Sequence, residues 1–265
     1  GIAPLTSMYW YSEGSRRYRV DWRPEVHDSD GLALWTGSGE RIWRPLNNPE
    51  RIIVSSFVDE NPRGFGLLQR DRNFAHYLDG VHYERRPSLW VEPLDPWGPG
   101  TVQLVEIPTD DEIHDNIAAF WVPRAPAAAG DRHHLRYRLY WQADEPFAAP
   151  GLARATATRL GRGGEPGHPR PPGVIKFVID FAGGALADLS PGRSVEARVN
   201  TTHGQVTRAV AEPVAEGGGW RAVFDLALEE ADQLPVELRL HLADDNGPLS
   251  ETWLYQYRPG ATARI

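Results

Sequence analysis

Apolar and polar residues alternate with a period of two over most of the first 142 residues. Such alternation over four to eight residues, rich in Val, Ile, Thr and aromatics, marks a half-buried β-strand. It predicts strands at 17–22, 31–36, 40–46, 51–58, 64–69, 88–94, 101–107, 117–122 and 133–142. Clusters of Gly, Pro and Asn, such as "TGSGE", "NNPE", "ENPRG" and "DPWGPG", separate them as turns. Residues 70–87, "RDRNFAHYLDGVHYERRP", show little period and predict a long loop with at most a helical turn. Long loops in compact β domains commonly carry function.

The alternation stops at 145–172, "EPFAAPGLARATATRLGRGGEPGHPRPP", where Pro, Gly, Ala and Arg dominate. That composition predicts a surface linker, bounded here as 148–172. Strands resume at 174–181, 194–200, 205–212, 219–228, 235–242 and 250–257. Short strands at this spacing predict an immunoglobulin-like β-sandwich over 173–265, without the Cys–Trp–Cys hallmark of antibody domains. The fold class is therefore all-β: residues 1–147 within a large β-sandwich, then the linker, then the smaller sandwich.

Composition narrows the function. The net charge of −8 argues against nucleic acid as a partner. With no cysteine, thiolate chemistry, disulfides and Cys-based zinc sites are excluded. No apolar run approaches the length of a membrane span. Ten Trp is a high count, and eight precede residue 142. Indole rings suit a β core, and they also suit stacking on sugar rings.

Two acidic segments are candidate sites. In "WRPEVHDSDGL" (22–32), Glu25, His27, Asp28 and Asp30 crowd a turn, with oxygen spacing that does not fit an EF-hand. In "TDDEIHDN" (109–116), Asp110, Asp111, Glu112, His114 and Asp115 separate two apolar strands. If those strands are neighbours, the segment is their connection at the mouth of a sheet, where polar groups converge into sites. Two separated carboxylate clusters in a Trp-rich domain fit glycoside hydrolysis, which needs one acid and one base across the scissile bond. Hydrogen-bonded turns are the plain alternative for both. Arg70, Asp71 and Arg72 read as a structural ion-pair network. No G-x-S-x-G, P-loop or Rossmann glycine pattern is present, and the reading calls for no cofactor and no metal.

The segments "GIAPLTSMYWY", "DWRPEVHDSDGLALWTGSGERIWRPLNNP", "SSFVDENPRGFGLLQRDRNF", "RRPSLWVEPL" and "VQLVEIPTDDEIHDNIAAFWVP" closely resemble the osmoregulated periplasmic glucan biosynthesis proteins G and D (OpgG/OpgD, also called MdoG/MdoD). The resemblance covers nearly all of 1–147 and continues more loosely beyond. It implies a large sandwich joined to an immunoglobulin-like one, a periplasmic location and a role with β-1,2-glucan. It also implies members about twice this length, the remainder lying upstream. Some members are inverting β-1,2-glucanases. The resemblance points to Asp115 as general acid and to Asp28 as general base, acting through a relay. Glu112, His114, Asp30 and Arg70 become substrate-binding or tuning candidates, and Trp35, Trp43, Trp90 and Trp121 candidate sugar platforms. Alternatives are a non-catalytic glucan-binding or assembly factor working with the membrane glucan synthase, and, last, a mutarotase-like epimerase. A homodimer is left open.

Overall fold

The computed structural model describes residues 1–12, 21–189, 193–214, 218–229 and 232–259. The chain divides into two compact units, with the boundary between Ala148 and Ala149. The first contains β1 (Ile2–Ser7), β2 (Tyr9–Tyr11), β3 (Val26–His27), β4 (Gly31–Trp35), β5 (Arg41–Pro45), β6 (Ile53–Asp59) and β7 (Gly64–Leu68). A one-turn helix α1 (Phe74–Tyr77) precedes β8 (Ser88–Pro93), β9 (Gly100–Glu106), β10 (Ile117–Pro123) and β11 (Tyr137–Gln142). The second contains β12 (Arg154–Arg162), β13 (Val174–Ala182), β14 (Glu196–Thr201), β15 (Gln205–Pro213), β16 (Trp220–Ala227), β17 (Val236–Asp244), β18 (Gly247–Pro248) and β19 (Thr252–Tyr257).

In the first unit the strands run side by side as β1-β10-β9-β6 and as β11-β8-β7-β4-β5, with β2 and β3 paired separately. Val102 and Leu104 of β9 point inward opposite Trp121 and Ala119 of β10. The inner faces of the two sheets are joined by a buried ion pair. Arg44 on β5 donates from Nη2 to Glu106 at the end of β9 at 3.0 Å, and the Asn47 amide donates to the same carboxylate at 2.7 Å. Both side chains are almost wholly buried.

Bulky indoles are accommodated by glycine. A Cβ on Gly100 would lie 2.4 Å from Trp121, and one on Gly64 would lie 2.4 Å from Trp90. Trp90 and Trp121 are thus core residues, sealed from solvent, which corrects the expectation that they offer faces to sugar.

The second unit is a sandwich of β12-β13-β16-β15 on one side and β14, β17 and β19 on the other, with β18 returning onto β17. Phe177 of β13 stacks on Phe224 of β16 at 5.0 Å, and meets Trp253, Tyr255 and Tyr257 of β19 edge-on at 5.7–6.2 Å. These aromatic contacts build the inter-sheet core.

Apart from 17–22, the predicted strands recur with small shifts of boundary, and β1, β2, β3, β12 and β18 fall outside those expectations. β12 lies inside the stretch expected to be linker, and Arg154–Arg162 pairs with β13, with an irregularity between Ala155 and Ala157. Its polar alternation escapes a hydrophobicity pattern because one face carries Thr and Arg. Of the predicted strand 17–22, residues 17–20 lie outside the described residues, and 21–22 bend.

A cross-strand clamp fixes this sheet. Arg221 of β16 holds Asp180 of β13 bidentately at 2.6 and 2.9 Å, and Arg159 of β12 adds a bond at 2.7 Å. Burial pushes the Asp180 carboxyl up, but Arg221 and then Arg159 outweigh it and the net direction is down. A carboxyl held below its unfolded value contributes stability that is present above about pH 3.9 and lost as pH falls through the folded value. Asp180→Asn should therefore lower the urea midpoint at pH 7. The gap to the parent should close as the titration is repeated below about pH 4.

Candidate functional site

The two acidic segments come together within the first unit. The turn before β4 is fixed by the β2–β3 pair, in which Tyr9 faces His27, and by the Asp28 amide donating to the Met8 carbonyl at 2.8 Å. Residues 109–116 do connect β9 to β10, as the neighbouring-strand reading requires. Two asparagine side chains close the ends of this connection. Asn48 pairs with both the amide and the carbonyl of Thr109, at 3.0 and 2.6 Å. Asn116 pairs with both the amide and the carbonyl of Tyr9, at 2.8 and 2.9 Å, and donates to the Ile107 carbonyl at 2.9 Å. Each carboxamide thus does what a neighbouring strand's backbone would do.

Between those ends, Arg23 is the hub. The residue is 9% exposed, and its guanidinium is held by Asp21 from its own bend, by Asp79 from the 70–87 segment at 2.7 Å and by Glu112 from the acidic connection at 2.8 Å. The Tyr83 hydroxyl donates to the same Glu112 oxygen at 2.5 Å. Burial and then Glu112 push the Tyr83 phenol up, so it remains a donor. Three segments are locked by one planar cation whose fork matches carboxylates.

Asp28 and Asp115 are both tied to the junction of β1 and β2, Asp28 through its amide to the Met8 carbonyl at 2.8 Å and Asp115 through Thr6 Oγ1. Asp28 is half-buried and paired with Arg86 at 2.8 Å. Burial pushes its carboxyl up, the Arg86 guanidinium pulls it back, and the Asp115 charge pushes it up again; the net direction is up. Asp115 is exposed and accepts a hydrogen bond from Thr6 Oγ1 at 2.5 Å.

Beneath them lies a buried polar layer. His27, fully buried, bonds through Nε2 to Glu25 at 2.8 Å and through Nδ1 to Gln69 at 3.0 Å. Gln69 in turn donates to the Tyr77 hydroxyl at 2.8 Å and to the Tyr83 carbonyl at 3.1 Å. Burial alone would pull His27 down, yet the Glu25 carboxylate beside it carries the net shift upward. Asp30 accepts from the amides of Arg70 and Asp71, at 3.0 and 2.8 Å, and burial raises its carboxyl overall. Glu25, Asp71 and His76 bring three metal-type donor atoms within 4.8 Å of one another. Glu25 is engaged by His27, and Asp71 by His76 at 2.5 Å, so these donors form two His–carboxylate pairs.

A family model described as "Periplasmic glucan biosynthesis protein, MdoG" matches residues 1–257. The chain belongs to the MdoG family. It is 63% identical over 261 residues to glucans biosynthesis protein D 2 of Ralstonia nicotianae, covering 98% of this chain and 48% of that one. It is 54% identical over 260 residues to glucans biosynthesis protein D of Stenotrophomonas maltophilia, covering 98% and 48%. It is 53% identical over 266 residues to the protein D of Xanthomonas oryzae pv. oryzae, covering 99% and 50%. The chain thus spans about half the length of these curated relatives.

In this MdoG-family chain, Asp28, Asp30, Glu112 and Asp115 lie on the segments joined by the Arg23 hub and its buried layer. His114 is exposed and makes no hydrogen bond to Asp115 among the described residues. Trp43 is buried, with the Arg70 guanidinium stacked 3.7 Å from its ring. Trp35 is half-buried beneath Arg41, 3.8 Å from its ring centroid. Both indoles carry an arginine where a sugar was expected to stack. Asp71 serves His76, and Arg72 donates to the carbonyls of Glu84, Arg86 and Ala143.

The pinning role of Asn116 is testable. Asn116→Ala removes the side-chain partner of the buried Tyr9 amide and carbonyl, at a cost of about 1–3 kcal/mol, and of the part-buried Ile107 carbonyl. Urea unfolding should show that loss, and hydrogen exchange at the Tyr9 amide should accelerate.

Proposed function

We propose that the chain carries the acid–base pair of a periplasmic, inverting β-1,2-glucanase of the D type, acting on the backbone of osmoregulated periplasmic glucans. The observation that carries this reading is the convergence of Asp28 and Asp115. They lie far apart in sequence, they stand in the two family-matching motifs, and both are tied to residues 6–8, Asp115 by Thr6 Oγ1 and Asp28 by the Met8 carbonyl. Asp115 is the general acid, exposed on the connection and able to reach a glycosidic oxygen. Asp28 is the general base. Its raised carboxyl is a stronger proton acceptor than an ordinary Asp, while Arg86 favours its ionised form. An inverting reaction needs a water held between base and anomeric carbon. The Tyr83 hydroxyl and the Glu112 carboxylate supply fixed polar atoms beside the acid loop.

A second reading, a glucan-holding factor that presents the polymer to the membrane glucan synthase, is favoured by one observation. Asp115 stands in the open, hydrogen-bonded to Thr6, as a ligand-gripping acceptor would. Product analysis separates the two, because only the hydrolase releases reducing ends.

Asp115→Asn and Asp28→Asn should each lower β-1,2-glucan hydrolysis by roughly 10²–10⁴. The assay uses the chain and a fusion supplying the residues its relatives carry beyond the matched half. Turnover at the parent's rate in Asp115→Asn would sink the hydrolase reading.

The pH profile tests the base. Asp28 must be ionised to accept a proton, so activity is present above its folded value and lost as pH falls through it. That acid limb should lie above the ordinary Asp range, about 3.9. Arg86→Met removes the group that pulls Asp28 down, so the limb should move to higher pH.

A further inference from the structure

The four Trp side chains marked by sequence as sugar platforms are in the core or covered by arginine, which leaves the aromatic surface of the site unassigned. Trp22 fills that gap. It is 70% exposed, in a molecule whose other indoles are mostly buried. Its backbone is bracketed by a local clip. The Arg23 backbone amide and Nε both donate to Asp21 Oδ1, at 2.9 and 2.8 Å, so the residues on either side of Trp22 are clipped together. The clip turns the indole outward at the base of the Arg23 hub.

The segments tied to that hub share the same unusual surface. Arg23 is bonded to Asp79, whose carboxylate also accepts from the Val81 amide, and Leu78 and Val81 are exposed. It is bonded to Glu112, and the next residue, Ile113, is 72% exposed. Large exposed apolar side chains on three segments that are tied to one hub point to a binding surface rather than to scattered exposure. Here they alternate with carboxylates: Asp21, Asp79 and Glu112. Apolar faces rimmed by hydrogen-bond acceptors match a pyranose, which offers C–H patches on its faces and hydroxyl donors at its edge. The acidic rim and the net charge of −8 disfavour a phosphate-bearing ligand.

We propose that Trp22 is the stacking platform for a glucosyl residue of the substrate, one or more sugars away from the scissile bond, with Val81 and Ile113 widening the apolar floor. The proposal rests on the glucan reading of the site. Glu112 is three residues from Asp115, so a glucan seated on Trp22 runs toward the acid.

The experiment is calorimetric titration of β-1,2-linked glucooligosaccharides into the Asp115→Asn protein, which should bind without turnover. Adding Trp22→Ala should weaken binding by about tenfold or more, whereas Trp22→Phe should retain most of it. The unfolding midpoint should stay at the parent's value, because the ring is exposed. In the otherwise unaltered protein, Trp22→Ala should raise KM with kcat held. Undiminished affinity in Trp22→Ala overturns the proposal and leaves the hydrolase reading standing. So does a loss of affinity that Phe does not restore, or one accompanied by a lower unfolding midpoint. No affinity for glucan in the parent or in Asp115→Asn overturns both.

Discussion

The Arg23 guanidinium is the constraint on which the site depends. A single buried cation meets carboxylates from the bend at 21, the 70–87 segment and the 109–116 connection. None of these segments has enough regular structure to hold itself. The four-residue α1 and the 3₁₀ turn at Tyr83–Arg85 are too short to be stable alone. Desolvating a cation is costly unless it is paired in good geometry, and here three carboxylates share one guanidinium, so it is removal of Arg23 that would strand charge. The loops are therefore ordered by electrostatics at their centre and by sheets at their edges.

Beneath the hub, polarity continues inward through His27, Gln69 and Tyr77. A buried polar layer in a β domain is costly when half-satisfied and rigid when complete. Here each member has a partner, and the layer supports the turn that carries Asp28. A half-buried Asp28 above an uncompensated core would simply take up a proton. Set beside Arg86 and near the His27 imidazole, it keeps access to its ionised form even though burial pushes its carboxyl up. The large sandwich thus provides more than a frame, since its polar interior tunes the acidity of the residue at its surface.

The period-two alternation of "TVQLVEI" and "IAAFWV" revealed β9 and β10, and with them the connection that carries Asp115. The motifs around 22–32 and 109–116 carried the family relationship and the two aspartates. What stayed hidden has physical reasons. β12 is polar on one face, so its apolar content is too low to stand out. The indoles of Trp90 and Trp121 look the same in sequence whether they face a sugar or a glycine across the sheet. Trp22 gave no signal because its exposure comes from the Asp21–Arg23 clip, a contact that only the folded bend creates. Gln69 and Asn116 are ordinary polar residues at strand ends until their partners are known.

The paired asparagines have a consequence for how such a loop can change over evolutionary time. Asn48 and Asn116 each satisfy both backbone groups of one residue, so the connection is closed at its two ends independently of what lies between. Asp110, Asp111, Ile113 and His114 can then vary in length of side chain, charge or reach without disturbing the register of β9 and β10, while Glu112 stays tied to Arg23 and Asp115 to Thr6. A scaffold with fastened ends and an interchangeable middle lets selection rework ligand preference while the sandwich keeps its fold.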